Sequence, residues 1–267
     1  VADIIEFLKD MMNEGYSYSS IAGFRSAISA YHAKINDLPV GQHDLVKATI
    51  TAVFNETPPT PKCVETWNVN TVLETICSLG PNEGLTDQLL THKLAMLMAL
   101  TSASRQSELR DLDLQFMQDK GNFIEFSIPT ITKSRKQGQA CKKRIFQSYP
   151  ANDQLDVTRC LKVYIHRTKD WRKDKSYHKL FLATVKPHKP VVTATIGNWL
   201  KSLMKRAGID VSIFTAHSTR SAATSKAFKQ GLTIEEILKT ADWTNAGTFF
   251  RFYHKSEANA FADTVLS

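Results

Sequence analysis

The four cysteines of this chain, Cys63, Cys77, Cys141 and Cys160, are too few and too scattered to staple it together. No two have the spacing of a metal-binding pair, and nothing resembles a disulfide framework. A small secreted disulfide scaffold and a structural zinc module are therefore excluded, and a reduced compartment, cytosol or nucleus, is expected. Long apolar runs are lacking as well. None reaches the ~20 residues of a spanning helix, so no membrane association is expected. No signal-peptide pattern is read at the start. Internal repeats and low-complexity tracts are missing, which excludes solenoids and biased linkers. There is no cluster of carboxylates of the kind that holds a metal pair, so no metal and no cofactor are expected.

What is present is ordinary for a globular protein: 267 residues, 42% hydrophobic and 22% charged, enough for one large domain or two smaller ones. The chain begins at Val1 rather than Met and is expected to be an excised piece of something longer. Its formal net charge of +8 is unevenly spread. Residues 1–60 carry four Lys/Arg against seven Asp/Glu, whereas residues 61–267 carry 30 against 19. Basicity confined to one part of a chain points to a polyanionic partner there, with a merely solvated surface as the plain alternative.

Helical periodicity dominates. Ile4, Ile5, Leu8, Met11 and Met12 make a stripe ended by Gly15. A second helix, capped by Ser17 or Ser19, runs to about Lys34 with Ile21, Phe24, Ile28 and Tyr31 on one face. A third, from Gln42 to Phe54, turns Leu45, Val46, Ile50 and Val53 inward. Three prolines then interrupt residues 56–66. This predicts a small helical domain over 1–57, a linker over 58–66 and a larger domain over 67–267. The larger domain opens with a helix over Asn70–Ser78. A strongly apolar helix over Thr86–Ser102 follows and must be buried on several sides. FIEFSI (123–128) alternates like a strand, CKKRIFQSY (141–149) is its expected partner, and KLFLAT is a candidate third strand. Later helices start near Asp153 or Asp156, at Thr193 or Thr195, and in the last dozen residues around Phe261 and Val265. The fold class is mainly α with a small antiparallel β-sheet.

Chemistry-bearing residues lie at particular places in this pattern. Arg105 sits where the buried helix stops, with Glu108 one turn later, so it is either presented by rigid packing or simply paired with that glutamate. The connection between the two strands and the start of the second hold Lys133, Arg135, Lys136, Lys142, Lys143 and Arg144, six basic residues in twelve positions. Such a cluster can reach a nucleic-acid backbone, and one lysine can donate a proton; spacing does not separate Lys133 from Lys136. In TAHSTRSAATSKAFKQGLTIEEILKTADWTNAGTFFRFYHK, His217 and Arg220 stand one helical turn apart, Trp243 follows 23 positions after Arg220, and Tyr253 ten after that. An Arg fork fits two phosphate oxygens, a neutral His beside it can move a proton, and a tyrosine hydroxyl near cations can become a nucleophile. The bland alternative is a helical DNA-binding unit with a core His and a packing Tyr.

Taken in order, SASRQSEL, ITKSRK after a strand, AHSTR, ADW and the tyrosine of FYHK resemble the tyrosine recombinases, the phage-integrase-like enzymes. SIAGFRSAISAYH and KAFKQGLTIEEILKTADW are most similar to the recombinases of DIRS and Ngaro-like retrotransposons. The resemblance implies a helical core-DNA-binding domain ahead of a catalytic domain. It implies that Arg105 and Arg220 grip the scissile phosphate, that Glu108 is the supporting acid, and that Lys133 is the general acid. His217 is then the histidine of the H-x-x-R motif, Trp243 stands at a position that is His in many members, and Tyr253 is the nucleophile. The family tyrosine usually lies nine residues after the His/Trp position, where this chain has Phe252; Tyr253 is one later, a spacing expected of the retrotransposon branch. The implied activity is strand cleavage and rejoining through a 3′-phosphotyrosine, without metal or ATP. The implied assembly is a homotetramer on double-stranded DNA that exchanges a C-terminal helix, working in the nucleus on mobile-element DNA. A non-catalytic, domesticated DNA-binding module and a type IB topoisomerase-like relaxing enzyme are the competing readings.

Overall fold

Three helices make the first of two units into which the chain divides, Val1–Val64 and Glu65–Ser267. A computed structural model of the chain describes residues 1–59, 66–129, 141–173 and 177–252. Helix α1 spans Ala2–Asn13, α2 Tyr18–Tyr31 and α3 Asp44–Glu56. Gly15, at φ +85°, turns the chain after α1, and the Ser17 hydroxyl accepts the Ser20 N–H to start α2. Their shared core is Leu8, Ile21, Val40, Val46, Ile50 and Val53. Two expected core positions lie outside it. Leu45 is 57% exposed, because Val46, Ile50 and Val53 define the inward stripe at i, i+4 and i+7 and Leu45 lies about 100° round from Val46. Tyr31, 95% exposed, is the last residue of α2, where the chain leaves in an extended conformation at His32.

The second unit is built round one buried helix. Asn68 caps α4 (Val69–Ser78), and Thr86 caps α5 (Asp87–Ser102) by accepting the Leu89 N–H. Residues 90 to 99 of α5 are buried without a break, as its continuous apolar character requires. It is covered by α7 (Val157–Arg167), α8 (Thr193–Arg206) and α9 (Ser218–Lys229), and it leads directly into the short α6 (Gln106–Asp111). Two further helices close the described chain. Helix α10 (Ile234–Ala241) is started by a Thr233–Glu236 capping box, and α11 spans Ala246–Phe252. Gly231, at φ +89°, follows the end of α9.

A three-stranded antiparallel sheet, β1 (Met117–Asp119), β2 (Phe123–Ile128) and β3 (Lys142–Gln147), lies in that order. Ile124, Phe126 and Ile128 face the core from β2, and Phe126 meets Phe146 edge-on at 6.0 Å. The third strand is therefore Met117–Asp119 and not KLFLAT. Leu180, Phe181 and Leu182 are all buried, a continuous apolar run with no free polar face, and this segment forms only isolated bridges, Asp113 to Lys179 and Leu182 to Pro190. Helix α8 also differs from expectation: it starts at Thr193 with no side-chain cap, and the Thr193 hydroxyl accepts from Arg110 instead. Among the described residues, Cys77, Cys141 and Cys160 are free thiols, no helix is long and apolar enough to cross a membrane, and no His/Cys/Asp/Glu cluster of metal-binding size occurs. The helix expected around Phe261 and Val265, and most of the expected linker, lie outside the described residues.

Burial ranks two neighbouring side chains of α3 against their size. Val46→Ala should lower unfolding free energy by about 2 kcal/mol, whereas Leu45→Ala should change it by less than about 0.5 kcal/mol. Chemical denaturation of both variants checks this; a larger loss from Leu45→Ala contradicts the placement of α3.

Candidate active site

The site begins where α5 ends. Ala103 takes a left-handed conformation, φ 46° and ψ 33°, which reverses the chain after Ser102 and sets Arg105 as the residue preceding α6. That conformation costs a non-glycine residue about 1 kcal/mol, and the surrounding packing holds it. Helix α8 then presses on this corner. A Cβ at Gly197 would stand 3.1 Å from Gln106 Oε1 and 3.8 Å from the Ala216 Cβ. Helix α8 thus packs on the start of α6, with the Gln106 side chain close over Gly197, and reaches the residue before His217. Segments more than a hundred residues apart are brought together in this way.

Glu108 is the centre of the arrangement. Its Oε1 accepts from Arg105 Nη1 at 2.9 Å and from Lys142 Nζ at 2.6 Å; its Oε2 accepts the Arg105 backbone N–H at 2.9 Å and Arg144 Nη2 at 2.8 Å. Burial by itself would raise the Glu108 pKa. The Arg144 guanidinium, the Lys142 hydrogen bond and the Arg105 N–H outweigh that and bring it from 4.5 to about 2. Since the folded value lies below the ordinary one, the ionised network stabilises the fold in full above about pH 4.5. That contribution is lost as pH falls toward 2.

The second half of the site comes from α9 and the end of α10. His217 precedes α9, and the Arg220 N–H donates back to its carbonyl at 3.2 Å, so the two side chains leave one turn of helix. Arg220 is buried. Its guanidinium carbon lies 4.6 Å from the centre of the Trp243 ring, and its Nη2 donates to the Ala241 carbonyl. His217 keeps substantial solvent exposure, yet the burial that it does have disfavours the charged form. With Arg220 and Arg105 adding like charge, its pKa is held below 6.5. Arg105, His217, Arg220 and Trp243 therefore form one electropositive neighbourhood. Trp243 in turn lies 6.1 Å from Phe249, a fully buried ring of α11 that also packs on Phe228 at 5.3 Å. Position 253 follows α11 directly in the sequence.

The basic residues of the hairpin divide. Lys143 is exposed and pairs with Glu125 at 2.8 Å. Lys142 and Arg144, expected from the sequence to bind DNA, turn inward to Glu108. Period-two alternation held the signal: 142, 144 and 146 share one face of β3, and Phe146 marks that face as the core side. Two further contacts were not evident from sequence. Lys142 also donates to Asp242 Oδ2 at 2.6 Å, and Arg144 Nη1 donates to the Thr240 carbonyl at 2.9 Å. Lys133, Arg135, Lys136 and Tyr253 lie outside the described residues.

The sequence profile of the Phage integrase family matches residues 66–259. A search of curated proteins found no sequence match. Among solved structures, the chain is similar to the Tn1549 transposon integrase in complex with circular intermediate DNA, at 16% identity and TM-score 0.60, covering 99% of this chain and 84% of that one. It is similar to the XerH site-specific recombinase bound to palindromic difH substrate in a post-cleavage complex, at 13% identity and TM-score 0.63, covering 99% and 71%. It is also similar to the XerA recombinase, at 16% identity and TM-score 0.54, covering 98% and 88%. These likenesses establish the fold: mostly helical, with a small three-stranded antiparallel sheet.

The electropositive neighbourhood makes a testable statement about His217. Its imidazole should titrate below 6.5 when followed by NMR, and the midpoint should rise in Arg105→Gln, which removes one of the two adjacent cations. A native midpoint at or above 6.5 contradicts the described surroundings of the ring.

Proposed function

Because this chain belongs to the phage integrase family, the tyrosine recombinases, by a match over residues 66–259, we propose that it cleaves and rejoins DNA strands through Tyr253. The observation that carries the reading is that Arg105, through Glu108 and Arg144, and Arg220, through the Ala241 carbonyl, both meet the end of α10 that leads to Trp243. Attack on a phosphodiester gathers negative charge on the non-bridging oxygens. Two preplaced guanidinium groups stabilise that charge more than they stabilise the ground state. Each such donor is worth about 3 kcal/mol of barrier.

The Tyr253 oxygen forms a bond to phosphorus as the bond from phosphorus to the 5′ oxygen breaks. The phenol proton passes to the neutral His217, and Lys133 supplies the proton that the departing 5′ oxygen needs. The product is a 3′-phosphotyrosine, whose retained bond energy allows a second 5′ hydroxyl to reverse the reaction on another strand. No step draws on ATP or a metal.

The finer reading is integration of a circular DNA copy of a DIRS- or Ngaro-like retrotransposon in the nucleus, by a tetramer on two duplexes. Support for C-terminal exchange comes from a groove of about 1130 Å³ in the second unit, lined by Leu97, Leu100, Ile145, Tyr149, Leu232 and Lys239 among others. The segment 256–267 of a neighbouring copy suits it in character, with Phe261, Val265 and Leu266 for the apolar wall.

On a nicked suicide substrate the protein should form a covalent DNA adduct, and Tyr253→Phe should form none while its DNA affinity stays near wild type. Adducts persisting in Tyr253→Phe would remove that residue from the role. No adduct from the native protein would favour a non-catalytic binding module, and relaxation of supercoiled plasmid without any sequence requirement would favour a topoisomerase-like enzyme.

A further inference from the structure

We propose that Arg144 is a positioning residue for strand cleavage: its buried guanidinium fixes the distance between the carboxylate that orients Arg105 and the helix end that carries Trp243. The proposal rests on the recombinase reading and goes beyond it, since Arg144 touches neither DNA nor any reacting atom in that scheme.

Arg144 is 4% exposed and faces the core from β3. One arm of its fork, Nη2, donates to Glu108 Oε2 at 2.8 Å; the other, Nη1, donates to the Thr240 carbonyl at 2.9 Å. The guanidinium is planar and rigid, so two directed bonds on its two arms define a spacing between their acceptors. On one side lies Glu108, which receives both the backbone N–H and the guanidinium of Arg105. On the other lies the last turn of α10, three residues before Trp243. That turn is gripped twice, because Arg220 donates to the next carbonyl, Ala241. The α10 end is also an unusual piece of backbone. Asp242 is left-handed, at φ 55° and ψ 55°, and the Trp243 N–H returns to the Leu238 carbonyl at 2.9 Å. This closure uses a non-glycine residue where glycine is preferred, so neighbouring groups must hold it. Lys142 helps by bridging Glu108 and Asp242, with 2.6 Å to each.

The result is a short rigid chain of contacts from Arg105 through Glu108 and Arg144 to the α10 terminus, and from there to Trp243 and Arg220. Each cation of the site leans on it from opposite ends. A lysine at 144 would keep the positive charge beside Glu108. It cannot reproduce two bonds at a fixed angle, so it separates charge from geometry.

The test uses the full chain and the variant Arg144→Lys. A positioning role predicts that covalent adduct formation at saturating DNA slows by at least about tenfold, because small misplacements of catalytic groups have effects of that order. The dissociation constant for DNA should stay within about twofold, since no DNA-binding group is removed. A second readout does not depend on activity: with 5-fluorotryptophan incorporated, the ¹⁹F resonance of Trp243, assigned through Trp243→Phe, should shift or broaden while those of Trp67, Trp171 and Trp199 hold. An unchanged rate together with an unchanged Trp243 resonance overturns the proposal and leaves the recombinase reading standing. Proportional loss of rate, affinity and all four resonances would mark a folding defect and also overturns it. If the native protein forms no adduct, the recombinase reading fails, and this proposal with it.

Discussion

A single buried carboxylate, Glu108, accepts four hydrogen bonds from three basic residues, and the rest of the site is arranged around it. A buried ionised carboxylate is costly unless its lone pairs are filled, and here they are filled by Arg105, just before α6, and by two residues of β3. The gain in stability of such a network over an apolar core is small; what it supplies is geometry. It requires the turn after α5, the inner face of β3 and the end of α10 to meet in one relation, because removing any partner strands a charge in the interior.

The scaffold's apolar packing makes that relation possible. Helix α5 is buried along most of its length, so the corner at Ala103 that follows it is held by packing on several sides. Helix α8 packs on the start of α6, with Gly197 against the Gln106 side chain. Phe228, Phe249 and Trp243 form an aromatic cluster that anchors α11, the helix leading to position 253. Cations are thus set by hydrogen bonds, and the segment expected to bring the phenol is set by ring packing.

Much of this was legible in the sequence, for identifiable reasons. Helix starts carry their own chemistry: Ser17, Thr86 and the Thr233–Glu236 box are capped as their residue types predict. The pair Phe123–Ile128 and Lys142–Gln147 follows from alternation. The short helix α6 was not legible, because six residues hold too little periodicity to register. Strand β1, three residues reading MQD, carries no alternation and exists because β2 offers it an edge. Leu180 to Leu182 misled for the opposite reason, since a buried apolar run satisfies burial in a strand or an irregular segment alike. Lys142 and Arg144 were read as part of a basic cluster when their register with Phe146 already turned them inward; charge counts over a window miss side-chain direction. The bond of Arg144 to Thr240 joins positions 96 apart and has no local signature at all.

The proposed chemistry requires cations from distant parts of the chain to act on one phosphate. A structure of the full chain on a duplex carrying its cleavage site, trapped with Tyr253→Phe, tests it directly. The guanidinium groups of Arg105 and Arg220 should both lie within hydrogen-bonding distance of the non-bridging oxygens of the same phosphate, with His217 beside them. Guanidinium groups bound to different phosphates, or one of them turned away from the DNA, would contradict it.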